Sequence, residues 1–246
     1  PPVQQVEPPS APFLGLGDTV YFDSAGVVDG VDRRGLYKGY WRAGRPAPEE
    51  FDRIAAGELD PAFDELREEI LREGLVDARG YYGIFRVQVD DTRMVVFDPE
   101  DSQRERASFV WPRVGRRNNR SVCDYLHPHG DIVVFLAVTI GAGVGRRCRE
   151  YFQEHGMYTK GFLLNGLGSQ LTEDIADCLT KEVSENLGIE PGRGRRYGFG
   201  YPGTPEVSRL PELFEVMDIH DRLGLTLTSG YQMEPEHSTV TALIHH

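Results

Sequence analysis

Cysteine is scarce in this sequence of 246 residues, which contains three: Cys123, Cys148 and Cys178. An odd number without C-x-x-C spacing predicts neither a disulfide framework nor a cysteine zinc site, and it fits a reducing compartment. The sequence also lacks an uninterrupted apolar run of the roughly 20 residues that a membrane-spanning helix needs. No basic segment followed by an apolar one opens the chain, as it would in a signal peptide. We therefore expect a cytoplasmic protein with no membrane partner.

Positive charge is in the minority, because 27 basic residues face 39 acidic ones and give a net charge of −12. Such an excess of acid disfavours general attraction to nucleic acid or to anionic membranes. Arginines interleave with aromatic rings between residues 104 and 120, a pattern that can bind nucleic acid. In so acidic a chain, a solvated loop or a docking patch for an acidic partner protein is the favoured interpretation. The arginines are Arg104, Arg106, Arg113, Arg116, Arg117 and Arg120.

Composition and length predict one globular domain behind a short extension. Hydrophobic residues make up 39 % of the chain and aromatic residues 10 %, enough for a sizeable core. Residues 1–12 contain five prolines and predict an extended linker. Residues 13–75 are expected to form an N-terminal extension with helices. Because the chain opens on Pro-Pro and not on Met, we expect it to be part of a longer protein.

Three stretches in the first half of the chain predict regular structure. Asp60-Pro61 supplies a helix N-cap and a proline at the first helical position, and apolar residues recur at helical spacing until Gly74. Residues 81–89 and 93–97 are rich in β-branched and aromatic residues and are separated by two aspartates, which predicts a hairpin. Residues 131–140 are almost continuously apolar, which predicts a strand buried on both faces.

The glycines after this last strand allow a second interpretation. A strand that enters a glycine-rich turn, here Gly141 to Gly145, is how Rossmann-type methyltransferases and nucleotide-binding folds begin. Such a fold should next supply a helix, a second strand and an acidic residue about 20 positions on. The residues up to Arg195 look helical throughout instead. A Rossmann-type enzyme is therefore an alternative hypothesis, which a parallel sheet would support.

The longest helical pattern runs from about Lys160 to Leu187. One apolar stripe, in which we include Cys178, predicts the face that packs on the core. Glu173 and Asp177 fall on the opposite, polar face. A solvated surface is the simplest interpretation of these two carboxylates, yet they could also reach a cationic ligand held by the segment that follows.

The C-terminal part predicts a short helix from Pro211 to Leu223 and strands at 225–228 and 240–244. Leu213, Phe214, Met217 and Leu223 of the short helix are expected to face inward. Three histidines, His237, His245 and His246, lie close in sequence, but their spacing defines no metal site that we can identify. We assign no metal.

The segment most suited to a ligand is Arg195-Arg196-Tyr197-Gly198-Phe199-Gly200-Tyr201-Pro202. Arginine presents a planar fork of donors that matches a carboxylate, aromatic faces attract cations, and glycine lets the backbone approach closely. We predict a loop that binds a flat, cationic or zwitterionic ligand. The alternative is a glycine-rich connection whose tyrosines pack on the domain. Asp32 is a second candidate, since its carboxylate could contact a ligand or cap a helix.

This segment resembles the Arg-x-x-x-Gly-Tyr-Pro signature of the activation domain of cobalamin-dependent methionine synthase. Further blocks look like that family in the same order, along essentially the whole chain after the linker. Several blocks in register are more specific than one glycine motif. The blocks are Pro12-Phe13-Leu14-Gly15, the segment from Asp32 to Trp41, Tyr82-Gly83-Ile84-Phe85, Val138-Thr139-Ile140-Gly141, Leu164-Asn165-Gly166-Leu167, Leu225-Thr226-Leu227-Thr228, Glu234-Pro235-Glu236-His237-Ser238-Thr239 and His245-His246.

The resemblance implies an α+β fold in which residues 13–246 form a C-shaped single domain with a bent, mainly antiparallel sheet flanked by helices. It also implies binding of S-adenosylmethionine and docking on a cobalamin-binding domain. There a methyl group, with an electron from flavodoxin or a similar reductant, converts cob(II)alamin to methylcobalamin in methionine biosynthesis. The chain would thus be the reactivation domain or subunit of a methyltransferase.

Matched by motif, the resemblance assigns six residues to cofactor binding and none to catalysis. Arg196 would pair with the methionyl carboxylate, and Asp32 would take the ammonium or another polar group. Glu173 matches a glutamate on the long helix that lines the groove. The backbone of the glycines and the ring of Tyr201 would meet the rest of the cofactor. The six are Arg196, Gly198, Gly200, Tyr201, Asp32 and Glu173.

Three features depart from the family pattern. Gly203-Thr204-Pro205 stands where the family usually continues Ala-Cys-Pro, and Asp32 aligns only with a one-residue gap. Family members also continue past the position of His246 with a proline and a strand whose tyrosine contacts the cofactor, so we expect part of the site to lie there. A docking module that keeps the fold without the cofactor is therefore a third hypothesis.

Overall fold

An antiparallel sheet runs through the molecule in the computed structural model, which describes residues 7–44, 46–115, 119–153 and 157–246. Its strands and those of a small hairpin are β1 (Gly15–Leu16), β2 (Val20–Tyr21), β3 (Arg79–Asp90), β4 (Arg93–Phe97), β5 (Glu105–Val110), β6 (Asp131–Thr139), β7 (Gly194–Gly198), β8 (Thr226–Leu227), β9 (Met233–Glu234) and β10 (Ser238–His245). Six strands follow the order β5-β4-β3-β6-β10-β7, and β1 and β2 also pair with β3. β8 pairs with β9. The predicted mixed fold with a mainly antiparallel sheet is confirmed.

Helices cover both faces of this sheet. They are α1 (Ser24–Asp29), α2 (Arg33–Gly35), α3 (Pro48–Ile54), α4 (Asp60–Glu73), α5 (Gly143–Gln153), α6 (Tyr158–Asn186), α7 (Leu210–Met217) and α8 (Ile219–Leu223). Two π-helical turns, Leu36–Tyr40 and Ala55–Leu59, follow α2 and α3, and short 3₁₀ turns lie at Val122–Tyr125 and Val207–Arg209. The helix predicted from about Lys160 to Leu187 is confirmed as α6.

The central strand β6 shows why its sequence is continuously apolar. All of its residues are buried, and its side chains alternate between two hydrophobic clusters. Val134 and Leu136 join the cluster with α4, α5 and α6, whereas Val133 and Phe135 join the one with α7 and α8. Each such side chain contributes about 1.5–3 kcal/mol when it is fully buried. The sheet is therefore the middle layer of the domain, as the prediction of a strand buried on both faces requires.

The predicted hairpin is also confirmed, as β3 and β4 pair from Val87–Val96 to Asp90–Arg93. Asp91 turns the chain with φ 51°, a left-handed conformation that aspartate tolerates better than most residues. β1 and β2 use the same edge of β3 nearer its start. The segment before residue 75 thus contributes strands to the main sheet as well as helices.

The N-cap predicted at Asp60 is wrong. The helix continues out of the π-helical turn Ala55–Leu59, so Asp60 lies inside the helical run. Its carboxylate accepts hydrogen bonds from Tyr37 at 2.6 Å and Arg33 at 3.1 Å. These tertiary partners, and not backbone N–H groups, occupy the side chain. Gly74 does end α4 as predicted, with φ 60°.

Cys178, predicted to lie in the core, is exposed. The buried positions of the last turns of α6 are Ile175, Ala176, Leu179 and Val183. At 100° per residue, the centre of that set lies well to one side of Cys178. A stripe drawn from the N-terminal leucines of this long helix includes Cys178, but the contact face rotates along the helix and in the last turns leaves Cys178 exposed.

The helix predicted from Pro211 to Leu223 is two helices, α7 and α8. Asp218 takes a left-handed conformation with φ 52° and ends the first of them. Its inward residues are nevertheless as expected, because Leu213, Phe214, Met217 and Leu223 are buried. The predicted strand at 225–228 is confirmed in shortened form as β8, and the strand at 240–244 is confirmed within β10.

The Rossmann alternative is contradicted by the sheet. β6 pairs antiparallel with both of its neighbours, β3 and β10, whereas that fold requires parallel strands. The glycines after β6 serve close packing instead. A Cβ at Gly143 would lie 2.3 Å from the backbone oxygen of Leu75, and one at Gly145 would lie 2.5 Å from a carboxylate oxygen of Glu236.

The predicted linker and the arginine-rich segment are only partly covered by the described residues. Of the predicted linker, residues 7–12 form no helix or strand and residues 1–6 lie outside the described part of the chain, as do Arg116 and Arg117 of the arginine-rich segment. In the rest of that segment, Arg113 pairs with Asp91 at 2.7 Å and with Asp124 at 2.8 Å. Within the described ranges, no helix is both long and apolar enough to cross a membrane.

Candidate functional site

Arg196 lies on β7, the edge strand that pairs with β10. Its backbone register partner is Leu243, and its side chain is 15 % exposed. Nη2 contacts Oε2 of Glu173 at 3.0 Å and Oδ1 of Asp177 at 2.5 Å. Both carboxylates come from α6, one turn apart. The polar face of α6 is therefore in contact with the arginine segment and is not simply a solvated surface.

The arginine segment was predicted to be a loop, and this is wrong for its first half, because Gly194–Gly198 form the strand β7. An edge strand needs one row of backbone hydrogen bonds and keeps much of its surface in water, so polar residues suffice and the apolar alternation that signals a strand is missing. The strand fixes Arg196 more firmly than a loop would. The residues after Gly198 form the turn that was expected.

This turn holds Tyr201 over Gly198. Gly200 has φ 90° and donates its N–H to the carbonyl of Pro205 at 2.7 Å. Thr204 closes the turn, since its Oγ1 accepts the N–H of Tyr201 at 2.9 Å. A Cβ on Gly198 would lie 3.3 Å from the ring of Tyr201. Threonine at the position where the family pattern has cysteine thus keeps the turn closed, and the ring of Tyr201 remains exposed.

Asp32 lies at the N-terminus of α2, on the other side of the same part of α6. Its Oδ1 accepts the N–H of Gly35 at 3.0 Å, so the capping interpretation is confirmed. Its own N–H donates to Oδ2 of Asp174 at 3.0 Å. A contact between Asp32 and a ligand is compatible with this cap and stays a prediction.

Tyr40 lies near both the Tyr201 turn and the acidic face of α6. It follows α2 in the π-helical turn, and its Cβ would lie 3.0 Å from a Cβ placed on Gly166 of α6. Burial raises the pKa of Tyr40, and the nearby Glu173, Tyr201 and Asp174 raise it further. Tyr40 is thus packed on α6 and lies within the electrostatic reach of both the turn and the acidic face of that helix.

A groove of about 460 Å³ continues from the turn. Gly198 and Tyr201 line one side, and Tyr231, Glu236 and Thr239 contribute to the other. Its lining does not include Arg196, Asp32 or Glu173. The candidate site therefore has a charged part on α6 and β7 and an open groove beyond the turn, which share Gly198 and Tyr201.

Sequence reasoning identified Arg196 and Glu173 but missed Asp174 and its partner Gln170. Gln170 donates from Nε2 to Oδ1 of Asp174 at 2.8 Å. The spacing of these two residues by four positions is a helical signal for such a pair. It could not show that Asp174 also contacts Asp32, because 142 residues separate the two in sequence.

The three histidines that lie close in sequence contact three different partners. His237 contacts the carbonyl of Asn165, His245 pairs with Asp131 at 2.8 Å, and the His246 ring contacts the Tyr197 hydroxyl. Among the residues that the structure describes, no three or more histidine, cysteine or acidic side chains are arranged to hold a metal ion.

The fold matches a solved structure, that of the MetH reactivation domain bound to AdoHcy. The TM-score is 0.80 at 20 % sequence identity, and the match covers 97 % of this chain and 81 % of that chain. At this identity the similarity shows the fold.

Curated relatives also match along the chain. The methionine synthase of Mycobacterium leprae (strain TN) is 25 % identical over 275 residues, covering 98 % of this chain and 22 % of that protein. That of Mycobacterium tuberculosis (strain ATCC 25618 / H37Rv) is 24 % identical over 274 residues, covering 98 % and 23 %. This chain thus spans about a fifth of the length of these relatives.

A family model, described as the activation domain of vitamin B12 dependent methionine synthase, matches residues 54–246. This match covers well over half of the chain and includes α6, β7 and the Tyr201 turn. The chain belongs to the family of vitamin B12 dependent methionine synthase activation domains.

Proposed function

We propose that this chain binds S-adenosylmethionine on α6, β7 and the Tyr201 turn and supports the reductive remethylation of cob(II)alamin to methylcobalamin. The observation that carries the proposal is the guanidinium of Arg196, largely buried beside Glu173 and next to the turn. Both carboxylate contacts of Arg196 use Nη2. Neither contact uses Nε or Nη1, so the N–H groups of these two nitrogens can donate to a ligand carboxylate.

The residues fit the charges of this cofactor. S-Adenosylmethionine carries a carboxylate, an ammonium and a sulfonium. In the proposal, Arg196 pairs with the carboxylate and Asp32 with the ammonium. Glu173 and the face of Tyr201 favour the cationic portion, since carboxylates and aromatic faces both attract cations. Gly198 and Gly200 allow the backbone to approach the ligand.

No side chain of this site needs to act as an acid or base. The cofactor supplies a methyl group, and its transfer to reduced cobalamin moves no proton. The work of the chain is then to bind and orient, and holding two reactants in the right geometry can account for a large part of a rate enhancement. This is why six binding residues and no catalytic residue are assigned.

The proposed partners are a cobalamin-binding domain and a reductant such as flavodoxin. The length of the methionine synthase relatives supports the first, because about four fifths of each lies outside the match. A cytoplasmic setting is part of the proposal, supported by three cysteines that form no disulfide. In this scheme the chain is the part of a methyltransferase that restores activity after oxidation.

Calorimetry with S-adenosylmethionine tests the proposal. The chain should bind, and Arg196→Ala should weaken binding at least about tenfold, because hydrogen bonds between charged groups each contribute about 1.5–3 kcal/mol. Arg104→Ala is the control, since Arg104 is highly exposed and 3.9 Å from Asp98 in the arginine-rich segment. The Arg104→Ala variant should bind S-adenosylmethionine as tightly as the parent chain.

Absence of binding by the parent chain would contradict the proposal and favour a docking module that keeps the fold alone. Equal losses in both variants would show that the affinity depends on overall charge and not on Arg196.

A further inference from the structure

Asp174 joins α6 to the N-terminus of α2. Its Oδ2 accepts the backbone N–H of Asp32 at 3.0 Å, and its Oδ1 accepts Nε2 of Gln170 at 2.8 Å. Both oxygens of one carboxylate are therefore used, one toward its own helix and one toward α2. A side chain held at both oxygens has little freedom to rotate, so it fixes the backbone of Asp32 relative to α6.

The side chain of Asp32 is fixed separately. Its Oδ1 caps α2 through the N–H of Gly35 at 3.0 Å. A Cβ on Gly35 would lie 2.4 Å from Oδ2 of Asp32 and 3.2 Å from Oε1 of Gln170. The absence of a side chain at Gly35 is therefore necessary for this packing. Asp32, Gly35, Gln170 and Asp174 form one connected unit.

The neighbouring residues of α6 hold Arg196. Glu173 and Asp177 contact its Nη2 at 3.0 and 2.5 Å. Residues 170–177 span about two turns, roughly 10 Å of helix. This short stretch thus contacts both charged groups to which we assign the two ends of an amino acid. Since an α-amino acid carries its ammonium and carboxylate on one carbon, the spacing of their partners must be held closely.

We propose that Asp174 is a positioning residue for the amino-acid end of the ligand: it holds Asp32 where the carboxylate can meet an ammonium while Arg196 meets the carboxylate. The inference rests on the proposed function. Asp174 does not touch the ligand and acts through Asp32.

The electrostatics of the unit agree with this role. Burial raises the pKa of Asp174, and the carboxylates of Asp32 and Asp177 raise it further, against hydrogen bonds that lower it. The free site therefore brings acidic groups together at a cost. An ammonium beside Asp32 offsets that repulsion, so the arrangement favours a ligand that carries one.

A matched pair of ligands tests the inference: S-adenosylhomocysteine and its analogue without the amino group, 4-(5′-adenosylthio)butanoate. The parent chain should bind the amino compound more tightly. Asp174→Ala should reduce this preference about tenfold, by weakening the amino compound while leaving the affinity for the analogue unchanged. Unchanged binding of the analogue shows that the variant is folded and that Arg196 still works.

Two further variants separate positioning from general stability. Asp174→Asn retains an oxygen that can accept the N–H of Asp32, so the preference should return to within about threefold of the parent. Glu182→Ala removes an exposed carboxylate elsewhere on α6 and should leave the preference unchanged. A loss in Glu182→Ala as large as that in Asp174→Ala would overturn the inference, because net charge alone would then explain it.

The remaining outcomes distinguish the inference from the function on which it rests. If the parent chain prefers the amino compound and Asp174→Ala keeps that preference, the positioning role of Asp174 is wrong and the proposed function stands. If the parent chain binds both compounds equally, Asp32 does not meet the ammonium and this inference is also wrong. If the parent chain binds neither compound, the proposed function fails and the inference with it.

Discussion

Arg196 and Glu173 are joined by a contact of 3.0 Å between Nη2 and Oε2 that links the edge strand β7 to the helix α6. The same nitrogen also contacts Asp177, whose side chain is 72 % exposed. Two carboxylates thus share one guanidinium nitrogen. Either of them alone provides a charged partner for Arg196, so their contributions to stability should overlap.

A double-mutant cycle measures this overlap. Glu173→Ala and Asp177→Ala should each lower the free energy of unfolding by less than about 1 kcal/mol, because one partner remains and the groups are partly exposed. The double variant should cost about 1–3 kcal/mol, more than the sum, because Arg196 is largely buried and then lacks both partners. Urea denaturation gives the three values.

The control for that cycle is the exposed pair of Lys181 and Glu185, which lie 4.0 Å apart on the same helix. Glu185→Ala should change stability by no more than about 0.5 kcal/mol. Strict additivity of the Glu173 and Asp177 variants would show that the two carboxylates stabilise the domain independently of Arg196.

The turn before Tyr201 offers a second test, through Gly200→Ala. Gly200 has φ 90°, and a Cβ there would lie 2.5 Å from Cγ1 of Val207. Strain from the positive φ should cost about 1 kcal/mol, and the contact with Val207 should add about 1 kcal/mol more. The proposed ligand affinity should also fall, because the turn carries Tyr201.

Gly192→Ala is the matched control for this substitution. Gly192 has φ 82°, close to that of Gly200, but nothing lies within 4 Å of the added Cβ. It should show the cost of the positive φ alone, about 1 kcal/mol, with unchanged ligand affinity. If Gly192→Ala lost as much stability and affinity as Gly200→Ala, neither the contact with Val207 nor the position of the turn could account for the losses.

Much of the fold could be predicted because its signals are local. The apolar run of β6, the two aspartates between β3 and β4, and the long periodic pattern of α6 each define an element without reference to the rest of the chain. Local signals failed where tertiary contacts decide. Asp60 has the sequence of a cap but contacts Arg33 and Tyr37.

The candidate site divides in the same way. Arg196 and the Tyr201 turn stand out because arginine, glycine and aromatic residues are concentrated in one segment. Asp174 does not stand out, because it is one of several acidic residues on a polar helix face. What separates it from Asp177 is the N–H of Asp32, which is brought to it by packing between α2 and α6.

Gly35→Ala tests the Asp32 unit without changing any charge. The added Cβ would lie 2.4 Å from Oδ2 of Asp32, so the carboxylate must turn away. We expect the affinity for S-adenosylmethionine to fall about tenfold, the order of one charge-assisted hydrogen bond. Gly39→Ala, in the adjoining π-helical turn, is the control because nothing lies within 4 Å of its Cβ.

Both of these glycines lie in helical backbone, where alanine is more stable than glycine by about 0.5–1 kcal/mol. This gain should be similar in the two variants, so any difference between them comes from the contacts of the added Cβ. Calorimetry should therefore separate the two variants, with Gly39→Ala close to the parent chain. The role of Asp32 would be contradicted by a Gly35→Ala variant that binds as tightly as Gly39→Ala.

A buried ion cluster far from the candidate site should set how stability depends on pH. Glu69, buried on α4, accepts hydrogen bonds from Tyr151 of α5 and from Lys160 of α6, the latter at 2.9 Å. Burial alone would raise the pKa of Glu69, but these hydrogen bonds and the charges of Lys160 and Arg147 hold it below its usual value. The cluster therefore stabilises the contacts among three helices when Glu69 is ionised.

Because the pKa of Glu69 is lower in the folded than in the unfolded chain, its contribution is fully present above the unfolded value of about 4.3 and is lost as the pH falls through the folded value. Glu69→Gln should cost about 1–3 kcal/mol at pH 7, since the half-buried Lys160 and Arg147 lose the one carboxylate of the cluster that is itself buried. The difference in stability from the parent chain should shrink between about pH 5 and pH 3.

Glu65→Gln is the control. Glu65 also contacts Lys160, at 2.6 Å, but is 67 % exposed, so its loss should cost less than about 1 kcal/mol. Urea denaturation at pH 7, 5 and 3.5 would contradict this account if the gap between Glu69→Gln and the parent stayed constant.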